Sequence, residues 1–260
     1  MRFLVYLLAG LLGLAAFIAP FLRPSAGSAQ ARSPLVLTLL LLLAFLALAL
    51  ETQAQAAGTQ ALALLGSLVA LNAGLRFVET VLPGPGGFSP IFFLILLVGY
   101  VFGARLGFLM GALTLFVSAL FTGGVGPWLP AQMFAAGWVG MSAPLVRPLV
   151  RPLAARWPRT EVYALAALGV VWGFVFGAVM NLWFWPLAVG PAEQSWQAGL
   201  SLRQAVGRYV TFYAVTSFGW DAMRAAGNAA LILLLGPATL HALRRFQSRT
   251  FWEATVDGRP

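Results

Sequence analysis

Residues 162–185 read VYALAALGVVWGFVFGAVMNLWFW, an apolar stretch without one charged side chain. A helix needs about 20 mostly apolar residues to cross the hydrocarbon of a bilayer, so this stretch is long enough to span it. Outward from it, apolar runs occupy 3–22, 34–50, 60–80, 90–103, 106–122, 130–146 and about 209–240. The pattern predicts an all-α integral membrane protein of eight transmembrane helices. Several runs fall short of a full crossing and the last exceeds one, so its first turns are expected along the interface or in a loop. Composition agrees: 60% of the 260 residues are hydrophobic, 9% are charged and mean hydropathy is +0.87. A soluble domain carries roughly 25% charged residues, so a soluble globule is excluded.

Absence of cysteine excludes a disulfide framework, a thiolate nucleophile and a Cys-ligated metal or iron–sulfur centre. All sixteen basic residues are Arg and the net charge is +9. In a membrane chain this excess marks the cytoplasmic side rather than a nucleic-acid partner. With the N-terminus inside, Arg2, Arg105, Arg147, Arg151, Arg156, Arg159, Arg244, Arg245, Arg249 and Arg259 fall inside, and only Arg23, Arg32, Arg203 and Arg208 outside. Both termini are therefore expected in the cytoplasm. The basic stretches 147–159 and 244 onward also suit anionic lipid or a partner protein. The first run, with Arg2 before it and Ala29-Gln30-Ala31 after it, has in addition the outline of a signal peptide; Pro20 and Arg23 look instead like a helix end.

This orientation puts the connections 82–89, 122–129 and 186–208 outside. The first two are dense in Gly and Pro and read either as gates or as tight turns. Ionisable groups at membrane depth cost about 2.5–3.5 kcal/mol each, so they face cavities or pair. Asn72, Arg76 and Glu79 share one helix face at i, i+4, i+7, and Asp221, Arg224 and Asn228 share another at i, i+3, i+7. Cross-pairing of Arg76 with Asp221 and of Glu79 with Arg224 neutralises all four charges. Such a set reads either as a polar recess for a ligand or as an ion pair locking two helices. Asn181 opens an aromatic cluster with Trp183 and Trp185, which serves as an interfacial belt or as flat walls for a ligand.

The centre of the chain carries a family resemblance. Ser89-Pro90-Ile91-Phe92-Phe93 is followed by Gly99-Tyr100-Val101-Phe102-Gly103-Ala104-Arg105-Leu106-Gly107-Phe108, then Gly111-Ala112-Leu113 and Val117-Ser118-Ala119-Leu120-Phe121. Gly124-Val125-Gly126-Pro127-Trp128-Leu129-Pro130-Ala131-Gln132-Met133 completes the succession. It resembles the substrate-binding (S) components of energy-coupling factor vitamin transporters over roughly 61–246, and the surroundings of Ser89 and Gly137-Trp138-Val139-Gly140 resemble its cobalamin-type members. Gly103, Gly107 and Gly111 recur every fourth residue around a very short connection and let the fourth and fifth helices, 90–103 and 106–122, approach closely.

The resemblance implies a six-helix core over 59–246, preceded by a two-helix extension (1–58) and followed by a cytoplasmic tail (247–260), in a prokaryotic cell membrane. It implies capture of a vitamin, cobalamin favoured, with a flavin or thiamine as alternative, and delivery with a transmembrane coupling protein and two ATPases. A non-transporting membrane scaffold is the remaining alternative. No cofactor, metal or catalytic residue is expected: the chain has no Lys for a phosphate-binding Walker loop, and its one histidine, His241, sits at a helix end. The expected ligand contacts are Arg76 and Glu79 for charge, Trp128 for capping and Gln132 for amide pairing. Asn181 and Trp183 form the side wall, and Asp221, Arg224 and Asn228 the polar floor. A wide mouth adds Trp138 and Trp185. The coupling-protein seam common in the family, Ala-x-x-x-Ala, has its spacing at Ala57/Ala61, whereas Ala63/Ser67, Gly66/Ala70 and Ala70/Gly74 repeat it within the helix.

Overall fold

The computed structural model describes residues 58–81, 86–154, 156–157 and 159–256, with isolated positions 8, 11, 13, 14, 17, 38, 39 and 42. The spans expected at 3–22 and 34–50 and the signal-peptide reading otherwise lie outside the described residues. All regular structure among these residues is helical. In chain order it comprises α1 (Gly58–Val81), α2 (Ile91–Phe102), α3 (Ala104–Thr122), α4 (Leu129–Ser142), α5 (Arg147–Ala154), α6 (Thr160–Phe184), α7 (Leu202–Thr216) and α8 (Phe218–Val256). Among the described residues, five segments are long and apolar enough to cross a membrane: Leu62–Val81, Ala104–Thr122, Leu129–Leu153, Thr160–Leu187 and Phe218–Ser248.

The twelve residues of α2 rise only about 18 Å, short of the roughly 30 Å of hydrocarbon. Its sequence IFFLILLVGYVF is apolar on every side, and Ile91 to Val101 are all buried. It forms the axis of the bundle, with α1, α3, α4, α6 and α8 around it. Arg147 and Gln247 satisfy its C-terminal carbonyls: Arg147 donates to Tyr100 O at 2.8 Å and Val101 O at 2.9 Å, and Gln247 to Val101 O at 3.0 Å. A helix end buried without such donors leaves orphan carbonyls.

The chain turns from α2 into α3 on one residue, Gly103, at φ 99° and ψ 172°, a conformation essentially confined to glycine. From there Gly107 packs backbone to backbone on Gly140 of α4 and Gly99 of α2, and Gly111 on Ala136; a Cβ at Gly107 would overlap the Gly140 carbonyl. Gly107 thus brings α2 and α3 together as expected, whereas Gly111 packs α3 on α4 instead and Gly103 serves the turn.

The last apolar run is not one helix. It divides at Ser217 (φ −137°, ψ −21°) into α7 and α8. The 39-residue α8 continues past residue 246, where the core was expected to end, to Val256. Ser201 and Gln204 form a capping box that starts α7 eight residues before the apolar run begins. Antiparallel packing gives the bundle two polar ends, one at Trp128, Asn181 and Asp221 and the other at Arg147, Glu161 and Arg244.

Gly107→Val should lower stability in detergent by about 3 kcal/mol, the upper end of ordinary overpacking. Gly74→Ala, at a position whose Cβ meets nothing within 4 Å, should be neutral or slightly stabilising because alanine is the better helix former. Thermal melting of the two purified variants measures the contrast.

Candidate functional site

The site starts from three glycines on α6. Gly169, Gly173 and Gly177 face Asn228, Ala225 and Asp221 of α8, and a Cβ at Gly177 would overlap the Asp221 carboxylate. Bare backbone on α6 gives the polar side chains of α8 room between the helices and acceptors to bond. Asn228 donates to Gly169 O at 2.9 Å and Arg224 to Gly173 O at 3.2 Å.

Asp221 is 1% exposed and forms an ion pair with Arg224 one turn on. The Arg224 guanidinium also lies 5.5 Å from the Phe176 ring centroid and 6.0 Å from that of Phe92. Two ring faces and a carboxylate thus replace the water it has lost. Tyr213 and Tyr209 of α7 approach the same carboxylate. The Tyr209 hydroxyl donates to Ala178 O, tying α7 to α6.

Above this pair opens a cavity of about 490 Å³. Trp128 and Gln132 line it from the start of α4, Asn181 and Trp183 from the end of α6, and Asp221 and Arg224 from α8. Six of the nine expected contact residues thus meet at one opening. The Trp128 indole donates to Gly124 O at 3.1 Å, which fixes the ring while leaving it 43% exposed. Gln132 makes no side-chain hydrogen bond among the described residues. Asn181 donates to Ser217 at the α7–α8 break, so the corner of that break is anchored in the cavity wall. Gly87, at φ 86°, closes the rim: a Cβ there would overlap the Trp220 carbonyl.

Three of the expected contacts stand elsewhere. Asn228 is fully buried and ties α8 to α6 below the cavity. Glu79 accepts from Ser89 at 2.8 Å, and Arg76 lies within electrostatic reach of Glu79 and Arg224; neither lines the opening. Asn72 donates to Ile91 O and to Thr114, joining α1, α2 and α3.

The cross-pairing of Arg76 with Asp221 and Glu79 with Arg224 does not form. Asp221 and Arg224 reach each other at i, i+3 on one helix, while Glu79 faces the residues that lead into α2. Nor do all the expected tryptophans line the mouth. Trp138 stacks on Phe17 at 5.5 Å. Trp185 is 2% exposed, packs on Trp196 and Tyr209 and donates to Gln194 O, anchoring the connection to α7.

Sequence reading missed Phe176, Ser217 and Trp220 as lining residues. The Gly169-x-x-x-Gly173-x-x-x-Gly177 spacing opposite a charged helix was the available signal for the first. Ser217 and Trp220 needed the helix break, which the continuous apolar run concealed.

The model of the family described as "ECF transporter, substrate-specific component" matches residues 60–236. The chain belongs to that family. No curated protein and no solved structure matches the chain. As an S component, the chain is a multi-pass membrane protein of substrate-binding character within a transporter, not an enzyme, and the whole cavity from Gly87 to Arg224 falls inside the matched residues.

Asp221→Ala should destabilise the S component by roughly 3 kcal/mol, since it leaves a largely desolvated guanidinium uncompensated. The double variant Asp221→Asn/Arg224→Met, which removes both charges and keeps the packing, should recover most of that melting loss. Continued failure of the double variant to bind ligand would assign the pair to the ligand; recovered binding would assign it to locking α8 against α6.

Proposed function

We propose that this chain captures a vitamin at the cavity end of the bundle, on the external face of a prokaryotic cell membrane, and hands it on with a transmembrane coupling protein and two ATPases. The observation that carries this reading is the meeting, at one opening, of Trp128 and Gln132 from the Gly-Pro-Trp…Gln-Met stretch with the buried Asp221–Arg224 pair. Indole faces take a flat ring, amides read its polar edge, and the pair supplies a donor and an acceptor that have already lost their water. The arginine-rich end then faces the cytoplasm, in keeping with the distribution of basic residues. ATP hydrolysis belongs to the partner chains.

Cobalamin is the substrate that the family resemblance favours. A second reading, a flavin or thiamine, is favoured by size: about 490 Å³ lies in the lower half of the range for drug-sized ligands, and a corrinoid is several-fold larger than such ligands. Mass spectrometry of small molecules that co-purify in mild detergent decides between them. A corrinoid is the result expected from the resemblance and a flavin or thiamine the result expected from the volume. Repeated absence of any vitamin would contradict capture and favour a membrane scaffold.

The small-residue face of α1 fits the coupling protein. Gly66, Ala70 and Gly74 are all exposed, and a Cβ at Gly66 or Gly74 meets nothing within 4 Å, so a partner helix can approach the backbone. Ala70→Trp is expected to abolish vitamin uptake in cells by about tenfold or more while the purified chain binds its vitamin unchanged. Undiminished uptake would exclude this face as the seam.

A further inference from the structure

A second cavity, of about 640 Å³, lies at the opposite end of the bundle between α6 and α8. Its origin is local. Near the ligand cavity the two helices touch along the α6 glycines, but further on α8 carries Gly236 and Pro237. A Cβ at Gly236 has only Ile232 at 3.5 Å and Val162 at 3.7 Å as neighbours, both at ordinary contact distance. Gly236 itself is buried against α6, and the groove opens beside it at Pro237.

The groove is graded in polarity. Leu233, Leu234, Pro237 and Leu240 form one wall, with Leu234 77% exposed. At the arginine end stand Arg159, His241 and Arg244. Glu161 is the one acid among the lining residues, and it is engaged by Arg244 through two bonds, at 2.9 and 2.5 Å, with Tyr100 donating to it at 3.2 Å. Among the described residues Arg159 and His241 have no side-chain hydrogen bond or ion pair. Arg159 is exposed at the foot of α6, one residue before Thr160.

An apolar slot parallel to a membrane-crossing helix, closed at its polar end by unpaired donors, matches one occupant in shape and charge. We propose that this groove seats an anionic phospholipid, its acyl chain along Leu233, Leu234 and Pro237 and its phosphate between Arg159, His241 and Arg244. The guanidinium and imidazole N–H groups donate charge-assisted bonds to phosphate oxygens, and anionic lipid concentrates at basic segments of the membrane boundary. The seat lies at the far end of the bundle from the ligand cavity and does not depend on which vitamin binds there. A soluble phosphate ester shares the headgroup chemistry but leaves the leucine wall uncovered.

The test uses the purified full chain in nanodiscs of phosphatidylcholine, alone or with phosphatidylglycerol added, and compares it with Arg159→Gln/His241→Gln. Phosphatidylglycerol should raise the melting temperature of the unaltered chain by several degrees, and the double variant should lose at least half of that rise. In phosphatidylcholine alone the two proteins should melt together, since both substituted side chains are exposed and unpaired. Native mass spectrometry should find fewer retained phosphatidylglycerol molecules on the variant. An equal rise or equal retention in both proteins would overturn the proposal. So would the same rise produced by soluble glycerol phosphate in phosphatidylcholine discs, which would make the site one for a free phosphate ester.

Discussion

An ion pair inside a bilayer survives only where something replaces its water, and the α6–α8 seam of this S component is built around that requirement. Asp221 and Arg224 pair with each other, and Arg224 adds the Gly173 carbonyl and the faces of Phe92 and Phe176. Those contacts exist because Gly173 and Gly177 expose backbone where any other residue would place a side chain. Remove the glycines and the charges have no room; remove the charges and the glycines face a void. Cavity and seam therefore share one device: the charges that line the opening are held by the helix contact that shapes it.

The two ends of the bundle solve the same problem differently. At the cavity end, donors and acceptors remain over: the Gln132 amide and the open face of Trp128 point at solvent-accessible space, as a binding site requires. At the arginine end, the groups around the C-terminus of α2 are used up, while Arg159 and His241 beside the α6–α8 groove stay unpaired among the described residues. Arg147 and Gln247 cap α2, Glu161 holds Arg244, and Tyr100 sits within 6 Å of both arginine guanidinium groups. A short central helix such as α2 needs this treatment at its C-terminus, because its last carbonyls end inside the protein rather than in water.

Much of this was legible in the sequence, for physical reasons. Long uncharged runs dictated helices, and the few polar residues within them stood out because each is expensive there; Asp221 and Arg224 were found that way, Asn181 and Trp183 by the aromatic cluster they belong to, and Trp128 and Gln132 on the stretch that carries the family resemblance. What failed was pairing. Spacing puts Arg76, Glu79, Asp221 and Arg224 on helix faces but does not say which helices are neighbours, and a partner at i, i+3 wins over one across a gap. The break at Ser217 was equally hidden, since α7 and α8 are joined without any Gly-Pro stretch to interrupt the apolar signal. Trp185 was misread for a related reason: a tryptophan at a helix end looks the same in sequence whether it faces lipid, ligand or, as here, a loop folded back upon it.

The most direct test of the central claim is hydrogen–deuterium exchange of the purified chain with and without its co-purifying vitamin. Protection should concentrate in 124–132, 176–184 and 217–224, the segments that meet at the cavity, with α5 and the foot of α6 unchanged. Protection confined to the arginine end, or none in 217–224, would contradict a ligand site built on the Asp221–Arg224 pair.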